Sequence, residues 1–201
     1  MPQLRCRRRS IFRWFVDVEL IVAFRVNLRG CTVVLLNIVL NYAAWFGVVT
    51  LSARGQFGLA VLPSLVAVGI HLAVSPPLRR RPELLLCLAA IPLGLCVEAI
   101  NMWVGATQYP AGASIAGAPP LFMLGLWMAF ATLANVSLAW LKDRLGLAAL
   151  FGAVAAAPSY YAGSKLGALV IGEPVWLSLG IIGAVWAVAF PALLLIARRI
   201  G

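Results

Sequence analysis

Residues 84–105, LLLCLAAIPLGLCVEAINMWVG, combine the length of a membrane span with one acidic residue, Glu98. About 20 consecutive apolar residues cross the ~30 Å hydrocarbon core of a bilayer as an α-helix. At 1.5 Å per residue, Glu98 would lie roughly 21 Å along this helix from Leu84, past the midplane. An ionised carboxylate at that depth is costly, so we expect Glu98 to be protonated, paired or facing water. It is the only acidic residue inside a predicted span, and therefore a candidate functional residue.

The composition extends this interpretation to the whole chain of 201 residues. Hydrophobic residues make up 63% of the sequence and charged residues only 11%, and the mean hydropathy is +1.00. Soluble domains contain about 25% charged residues. A soluble fold of this size could not bury so much apolar surface, so lipid must cover it. We predict an all-α protein, a polytopic transmembrane helix bundle.

Prolines or charges separate six apolar segments, which predict about six spans in a single domain over residues 33–201. The predicted spans are 33–53, 57–75, 84–105, 121–141, 145–171 and 175–197. Cytoplasmic loops are enriched in Lys and Arg. With the N-terminus inside, only Arg54 and Lys165 of the 16 basic residues fall on the other side. This asymmetry predicts that both termini are cytoplasmic.

Residues 1–32 form a basic N-terminal extension with two open interpretations. Residues 11–24 are suited to an interfacial helix on an anionic leaflet. Alternatively, translation starts further on, at Val26, Val33 or Val34, through a non-ATG codon.

The charge and the cysteines exclude several classes of protein. The net charge of +10 does not indicate nucleic-acid binding, because the basic residues lie between and outside the spans. Four cysteines without a CxxC pair, and the single histidine, predict no metal site. The sequence lacks the motifs of nucleotide, flavin, metalloprotease and serine-hydrolase sites, so we predict no cofactor and favour a protein that is not an enzyme.

Polar residues inside the spans fall into two groups at different depths. The predicted outer group is a candidate polar pocket: Glu98, Asn101, Tyr160, Tyr161 and Lys165. The predicted cytoplasmic-half group is Asn37, Asn41, His71, Asn135 and Ser137. A Glu98–Lys165 pair would offset the desolvation cost of both charges, and a helix broken at Pro158 would line a cavity between them.

Structural roles are an alternative for many of these residues. Asn, Ser and Thr in spans often form interhelical hydrogen bonds, and Lys165 is long enough to reach the outer interface. Gly163 and Gly167, four residues apart, are typical of close helix packing within a subunit or between two copies.

Three stretches resemble a known family: NIVLNYAAWF at 37–46, FATLANVSLAWL at 130–141 and PSYYAGSKLGAL at 158–169. The chain is similar over residues 35–199 to a small, Gram-negative, multi-pass inner-membrane family known only as a domain of unknown function. In that family Asn-His-Ser is common in the fourth span, whereas Val136 follows Asn135 here, so no role of that histidine carries over.

The resemblance implies a bacterial inner-membrane location and a link to membrane lipids, because family members accompany enzymes that modify fatty acids. Three hypotheses follow. The first is an accessory protein that binds lipid or a partner enzyme. The second is a proton-coupled carrier of a small or lipid-like solute that uses Glu98 and Lys165. The third is a lipid-modifying enzyme with Glu98, His71 or Tyr160 as acid or base.

Overall fold

The computed structural model describes residues 7–114 and 116–200, with side chains from residue 30 onwards. The chain divides into two compact units, residues 1–36 and residues 37–201. The candidate functional residues all belong to the second unit. The side chains of the predicted interfacial helix at residues 11–24 lie outside the described residues, so both interpretations of the basic extension remain predictions.

Helices make up most of the described chain, which confirms the predicted all-α bundle. They are α1 (Arg7–Ala53), α2 (Leu62–Val74), α3 (Pro77–Trp103), α4 (Leu121–Ala131), α5 (Leu145–Lys165) and α6 (Val175–Ile200). Two short strands, β1 (Thr107–Gln108) and β2 (Val170–Ile171), pair antiparallel in the register Thr107–Ile171. They join the loop after α3 to the loop before α6.

Four helices within the described residues are long and apolar enough to cross a bilayer: Gly30–Ala53 of α1, and α3, α5 and α6. The other two predicted spans contain shorter helices. A 3-10 turn, Leu59–Val61, precedes α2. Helix α4 ends at Ala131, and the rest of the predicted fourth span consists of turns and a second 3-10 helix, Ala139–Leu141. The cytoplasmic location of the termini remains a prediction.

Helix α3 begins seven residues before the predicted third span, at Pro77 rather than at Leu84. The stretch at residues 78–83, predicted as a loop because of its arginines, is therefore helical. Proline is favoured in the first turn of a helix, where its missing N–H has no partner in any case. Glu83 consequently lies on the buried face of α3, with 4% of its surface exposed. The statement that Glu98 is the only acid within an apolar helical segment is therefore wrong.

The sequence predicts a kink or a break at Pro158, and the break is wrong, because α5 continues through that residue to Lys165. Close packing against α6 supports the helix in the turns before the proline. A Cβ on Gly152 would lie 2.5 Å from the backbone oxygen of Trp186, and one on Gly183 would lie 2.9 Å from that of Ala153. Glycine at these two positions lets the backbones approach, which offsets the hydrogen bond that proline removes.

Gly163 and Gly167 do not form the predicted packing stripe. Gly163 is buried in α5, but Gly167 lies beyond the end of the helix with φ of +89°, in the left-handed region that favours glycine. The two residues therefore do not lie on one helix face, and Gly167 serves to end the helix. The prediction of a second copy bound through this pair has no helical stripe to support it.

Candidate functional site

Glu98 is completely buried, and three side chains donate hydrogen bonds to its carboxylate. The Tyr109 hydroxyl lies 2.9 Å from Oε2, and Trp127 Nε1 lies 3.1 Å from Oε1. The Tyr160 hydroxyl also donates to Oε1. Three donors on two oxygens satisfy the carboxylate without a cation. Its desolvation is therefore offset by neutral donors rather than by the predicted lysine.

Four parts of the fold bring these groups together. Glu98 lies on α3, Trp127 on α4, Tyr160 on α5, and Tyr109 follows β1. Gly94, one turn before Glu98, provides the space for the indole. A Cβ at Gly94 would lie 2.3 Å from Trp127 Cγ, so only glycine allows Trp127 to approach α3 closely enough to reach the carboxylate.

Five aromatic side chains form a continuous surface beside Glu98, here called the aromatic wall: Trp127, Phe130, Tyr160, Trp186 and Phe190. The indoles of Trp127 and Trp186 stack with centroids 4.5 Å apart and an interplanar angle of 18°. Phe130 contacts Trp186 edge-on at 5.3 Å. Trp186 Nε1 donates to the Tyr160 hydroxyl at 3.4 Å. The donors of the wall thus point towards Glu98, which fixes the orientation of the rings.

The aromatic wall forms one side of a cavity of about 610 Å³. Residues 38–49 of α1 line the opposite side, including Asn41, Trp45 and Phe46. Helices α4, α5 and α6 and the segments that follow α4 and α5 contribute the rest. Small-molecule pockets are typically about 300–1,000 Å³. The cavity therefore has room for a single ligand. The lining also includes both Asn41 and Tyr160, two residues that the sequence analysis assigned to groups at different depths.

Asn101 lies three residues after Glu98 on the buried face of α3 and has no exposed surface. Neither atom of its amide makes a hydrogen bond of regular geometry in the described chain, and the same holds for the hydroxyl of buried Thr107. The Asn101 amide nevertheless interacts with the Tyr160 hydroxyl, and Thr107 interacts with that of Tyr109. Buried polar atoms without any partner are uncommon and costly, so these two weaker contacts extend the polar cluster around Glu98.

The predicted five-residue pocket divides into two places. Glu98, Asn101 and Tyr160 are buried together, but Tyr161 and Lys165 line a separate pocket of about 210 Å³ next to Glu173. The Lys165 ammonium lies 5.0 Å from the centroid of the Tyr161 ring. Glu98 and Lys165 form no ion pair, so the hypothesis that they pair across a broken helix is wrong.

A second polar cluster lies near the start of α3, about 22 Å along the helix from Glu98. His71 Nε2 lies 3.3 Å from Glu83 Oε2, and the amide of Asn135 donates to Glu83 Oε1 at 3.0 Å. The ammonium of Lys142 donates to the Asn135 side-chain oxygen. Burial lowers the pKa of Lys142, although the charge of Glu83 acts in the opposite direction. Sequence reasoning identified His71 and Asn135 but missed Glu83 and Lys142.

Asn37 and Ser137 belong to a third set of contacts, which supports the irregular segment after α4. The Asn37 amide donates to the backbone oxygen of Thr132 at 3.2 Å, and the Ser137 hydroxyl donates to the Asn37 side-chain oxygen at 2.6 Å. Backbone outside a helix is tolerated at membrane depth only where its polar groups are satisfied by protein or line a cavity. These two residues act as interhelical hydrogen-bonding partners, which was the structural alternative for them.

Trp127 is the functional candidate that sequence reasoning overlooked. The sequence does contain an indication of its role, because a tryptophan buried in the middle of a span needs a hydrogen-bond acceptor for its N–H. Trp103, Trp140 and Trp176 are exposed on the protein surface, whereas Trp127 is 2% exposed. The single mid-span carboxylate was the natural acceptor to pair with it.

Tyr109 lies in the loop outside the helices, and burial raises the pKa of its hydroxyl well above the ordinary 10.0, with the charge of Glu98 adding to the shift. The unfolded chain therefore loses this proton first as the pH rises. The contribution of protonated Tyr109 to the free energy of unfolding is therefore complete below pH 10.0 and is lost progressively above it.

We expect Tyr109→Phe to make the alkaline fall in the free energy of unfolding shallower by up to about 1.4 kcal/mol per pH unit. Unfolding would be measured in mixed micelles between pH 9 and 11. Tyr42→Phe removes a tyrosine hydroxyl from an exposed position and is the matched control. Equal slopes for wild type and Tyr109→Phe would contradict the expectation.

The geometry defines the chain as a helical membrane protein with a buried, fully hydrogen-bonded carboxylate behind an apolar cavity. A family model described as "Protein of unknown function (DUF2878)" matches residues 34–192, and the chain belongs to this family. The match confirms the resemblance to a family of unknown function. No curated protein and no solved structure matches the chain.

Proposed function

We propose that this protein is a non-catalytic membrane protein that binds a lipid in the cavity between α1, α4, α5 and α6. The observation that carries the proposal is the cavity itself, about 610 Å³ in volume and lined almost entirely by apolar side chains. In a bilayer the most abundant apolar molecules are lipids, so a chain from a lipid is the natural occupant.

The position of the cavity supports this proposal. Tyr42 and Phe46 of α1 line it and yet are 63% and 55% exposed, so this side of the cavity is not closed by protein. A lipid chain could enter laterally between α1 and the remaining helices. The aromatic wall, oriented by Glu98, provides a rigid opposite surface.

The biological role that we propose is that of an accessory protein of the bacterial inner membrane, which presents or retains a lipid for a partner enzyme. The family resemblance supports this part by association only. A carrier or an enzyme would use the same cavity. Transport would require Glu98 to become accessible, whereas an enzyme would change the chemical composition of the lipids.

The test is native mass spectrometry of the protein extracted in mild detergent, with a variant that fills the cavity. Ala155 lines the cavity on α5, and its neighbour Val154 points away from it and is 64% exposed. We expect a co-purifying lipid with wild type and with Val154→Phe, and at least a tenfold lower occupancy with Ala155→Phe. The two variants add the same type of side chain to the same helix, so only the cavity distinguishes them.

Equal lipid occupancy in the two variants would contradict binding in this cavity. A chemically altered lipid in cells that overproduce the wild type would favour the enzyme. Movement of the lipid between vesicles, abolished by Glu98→Gln, would favour the carrier.

A further inference from the structure

We propose that the ligand of this cavity is an electrically neutral lipid, with an uncharged head such as a hydroxyl, ester or ketone. The inference rests on the proposed lipid-binding function and specifies its ligand. Fatty-acid anions and anionic phospholipid heads would accordingly be excluded from the cavity.

The absence of charge in the lining carries the proposal. Among the residues that the structure describes, no Asp, Glu, Lys, Arg or His lines the cavity. A carboxylate or phosphate inside it would meet no cation, and an unpaired charge in an apolar environment is strongly disfavoured. A neutral head group has no charge to desolvate and so does not require a cation in the lining.

Glu98 does not alter this electrostatic argument, because it is not part of the lining. Tyr160 and Trp127 stand between the carboxylate and the cavity, and both donate to it. Their donors are thus directed away from a ligand.

The polar groups that do line the cavity suit a neutral head. Asn41 on α1 and Ser159 on α5 contribute an amide and a hydroxyl to the lining. Such groups form hydrogen bonds with hydroxyl, ester or ketone oxygens without requiring a charge. The remaining lining is rich in aromatic rings, including Trp45, Trp127 and Trp186, which provide large apolar contact surfaces.

The three tryptophans also allow a direct binding experiment. A fluorescent polyene fatty acid, cis-parinaric acid, accepts energy from nearby tryptophan, and its methyl ester has the same polyene chain but an uncharged head that is one methyl group larger. Both probes would be titrated at pH 9 into the full-length protein in nanodiscs of zwitterionic lipid, with empty nanodiscs to correct for partitioning. We expect the ester to bind at least tenfold more tightly than the acid, and Ala155→Phe, but not Val154→Phe, to remove its energy transfer.

A cation placed in the cavity should reverse this preference. Ser159→Lys, and independently Asn41→Lys on the facing helix, should strengthen binding of the acid relative to the ester by at least tenfold. Two positions are used so that a variant that fails to fold does not decide the matter.

The outcomes separate the two proposals. If the acid binds as tightly as the ester and Ala155→Phe abolishes both signals, the cavity binds lipids but the neutral class is overturned. If Ala155→Phe leaves both signals unchanged, the probes bind elsewhere, and both the ligand class and the proposed function fail.

Discussion

Replacement of Glu98 by alanine is expected to lower the free energy of unfolding by about 3–6 kcal/mol, because each buried donor without a partner costs about 1–3 kcal/mol. Tyr109, Trp127 and Tyr160 would all lose their acceptor. The tyrosine hydroxyls can rotate towards other oxygens, but the indole N–H is a donor only. Most of the loss should therefore come from Trp127, which is 2% exposed.

Glutamine at the same position provides the matched comparison. Its side-chain oxygen can continue to accept from Trp127 and Tyr160, and its NH₂ group can donate to the Tyr109 hydroxyl, which then acts as acceptor. We expect Glu98→Gln to retain most of the stability and the orientation of the aromatic wall. A large difference between the two variants would identify hydrogen bonding, rather than charge, as the structural role of Glu98.

Both variants would be unfolded with SDS in mixed micelles and followed by tryptophan fluorescence. A loss below about 1 kcal/mol for Glu98→Ala would mean that the three donors find other acceptors. Equal losses for alanine and glutamine would mean that the negative charge itself is required. In either case the proposed role of Glu98 in orienting the wall would be wrong.

Gly94→Ala is expected to destabilise the protein by about 2–4 kcal/mol, through overpacking and through the loss of one hydrogen bond to Glu98. The new methyl group would lie 2.3 Å from Trp127 Cγ and 2.5 Å from Cδ1. The indole cannot retreat freely, because Trp186 stacks on it with ring centroids 4.5 Å apart. A small substitution on α3 should therefore disturb the cavity formed by α4, α5 and α6.

Gly180→Ala is the control, since it lies in the interior of α6 with nothing within 4 Å of its Cβ position. Alanine is favoured over glycine within a helix by about 0.5–1 kcal/mol, so this variant should be as stable as wild type or more so. Near-ultraviolet circular dichroism reports on the Trp127–Trp186 stack, and we expect its signal to change in Gly94→Ala alone. Unchanged spectra and stability in Gly94→Ala would contradict the close approach of Trp127 to α3.

The sequence was sufficient to predict most of the helices, because apolar segments long enough to cross a bilayer are visible without knowledge of their neighbours. Pro76 and residues 172–174, which fall in the gaps between the predicted spans, do lie between helices. The position of Glu98 within an apolar helix was likewise expected. These features depend on local composition and on the solvent around the chain.

The errors lie where neighbouring helices override a local signal. The arginines at residues 79–81 indicated a loop, yet α3 begins before them at Pro77 and carries Glu83 inwards to His71 and Asn135. Pro158 indicated a break, yet packing of α5 on α6 maintains the helix. Each outcome depends on contacts between segments far apart in the chain.

The sequence by itself determined that this protein is a helical membrane protein with a carboxylate inside one of its helices. The length and hydropathy of a segment decide whether it is more stable in the bilayer than in water. Only the tertiary structure decided what that carboxylate contacts. Trp127 and Tyr160 lie 29 and 62 residues from Glu98 along the chain. No periodicity within a single helix specifies which face of another helix it meets. The bundle places neutral donors, rather than Lys165, next to Glu98, and leaves the cavity behind them.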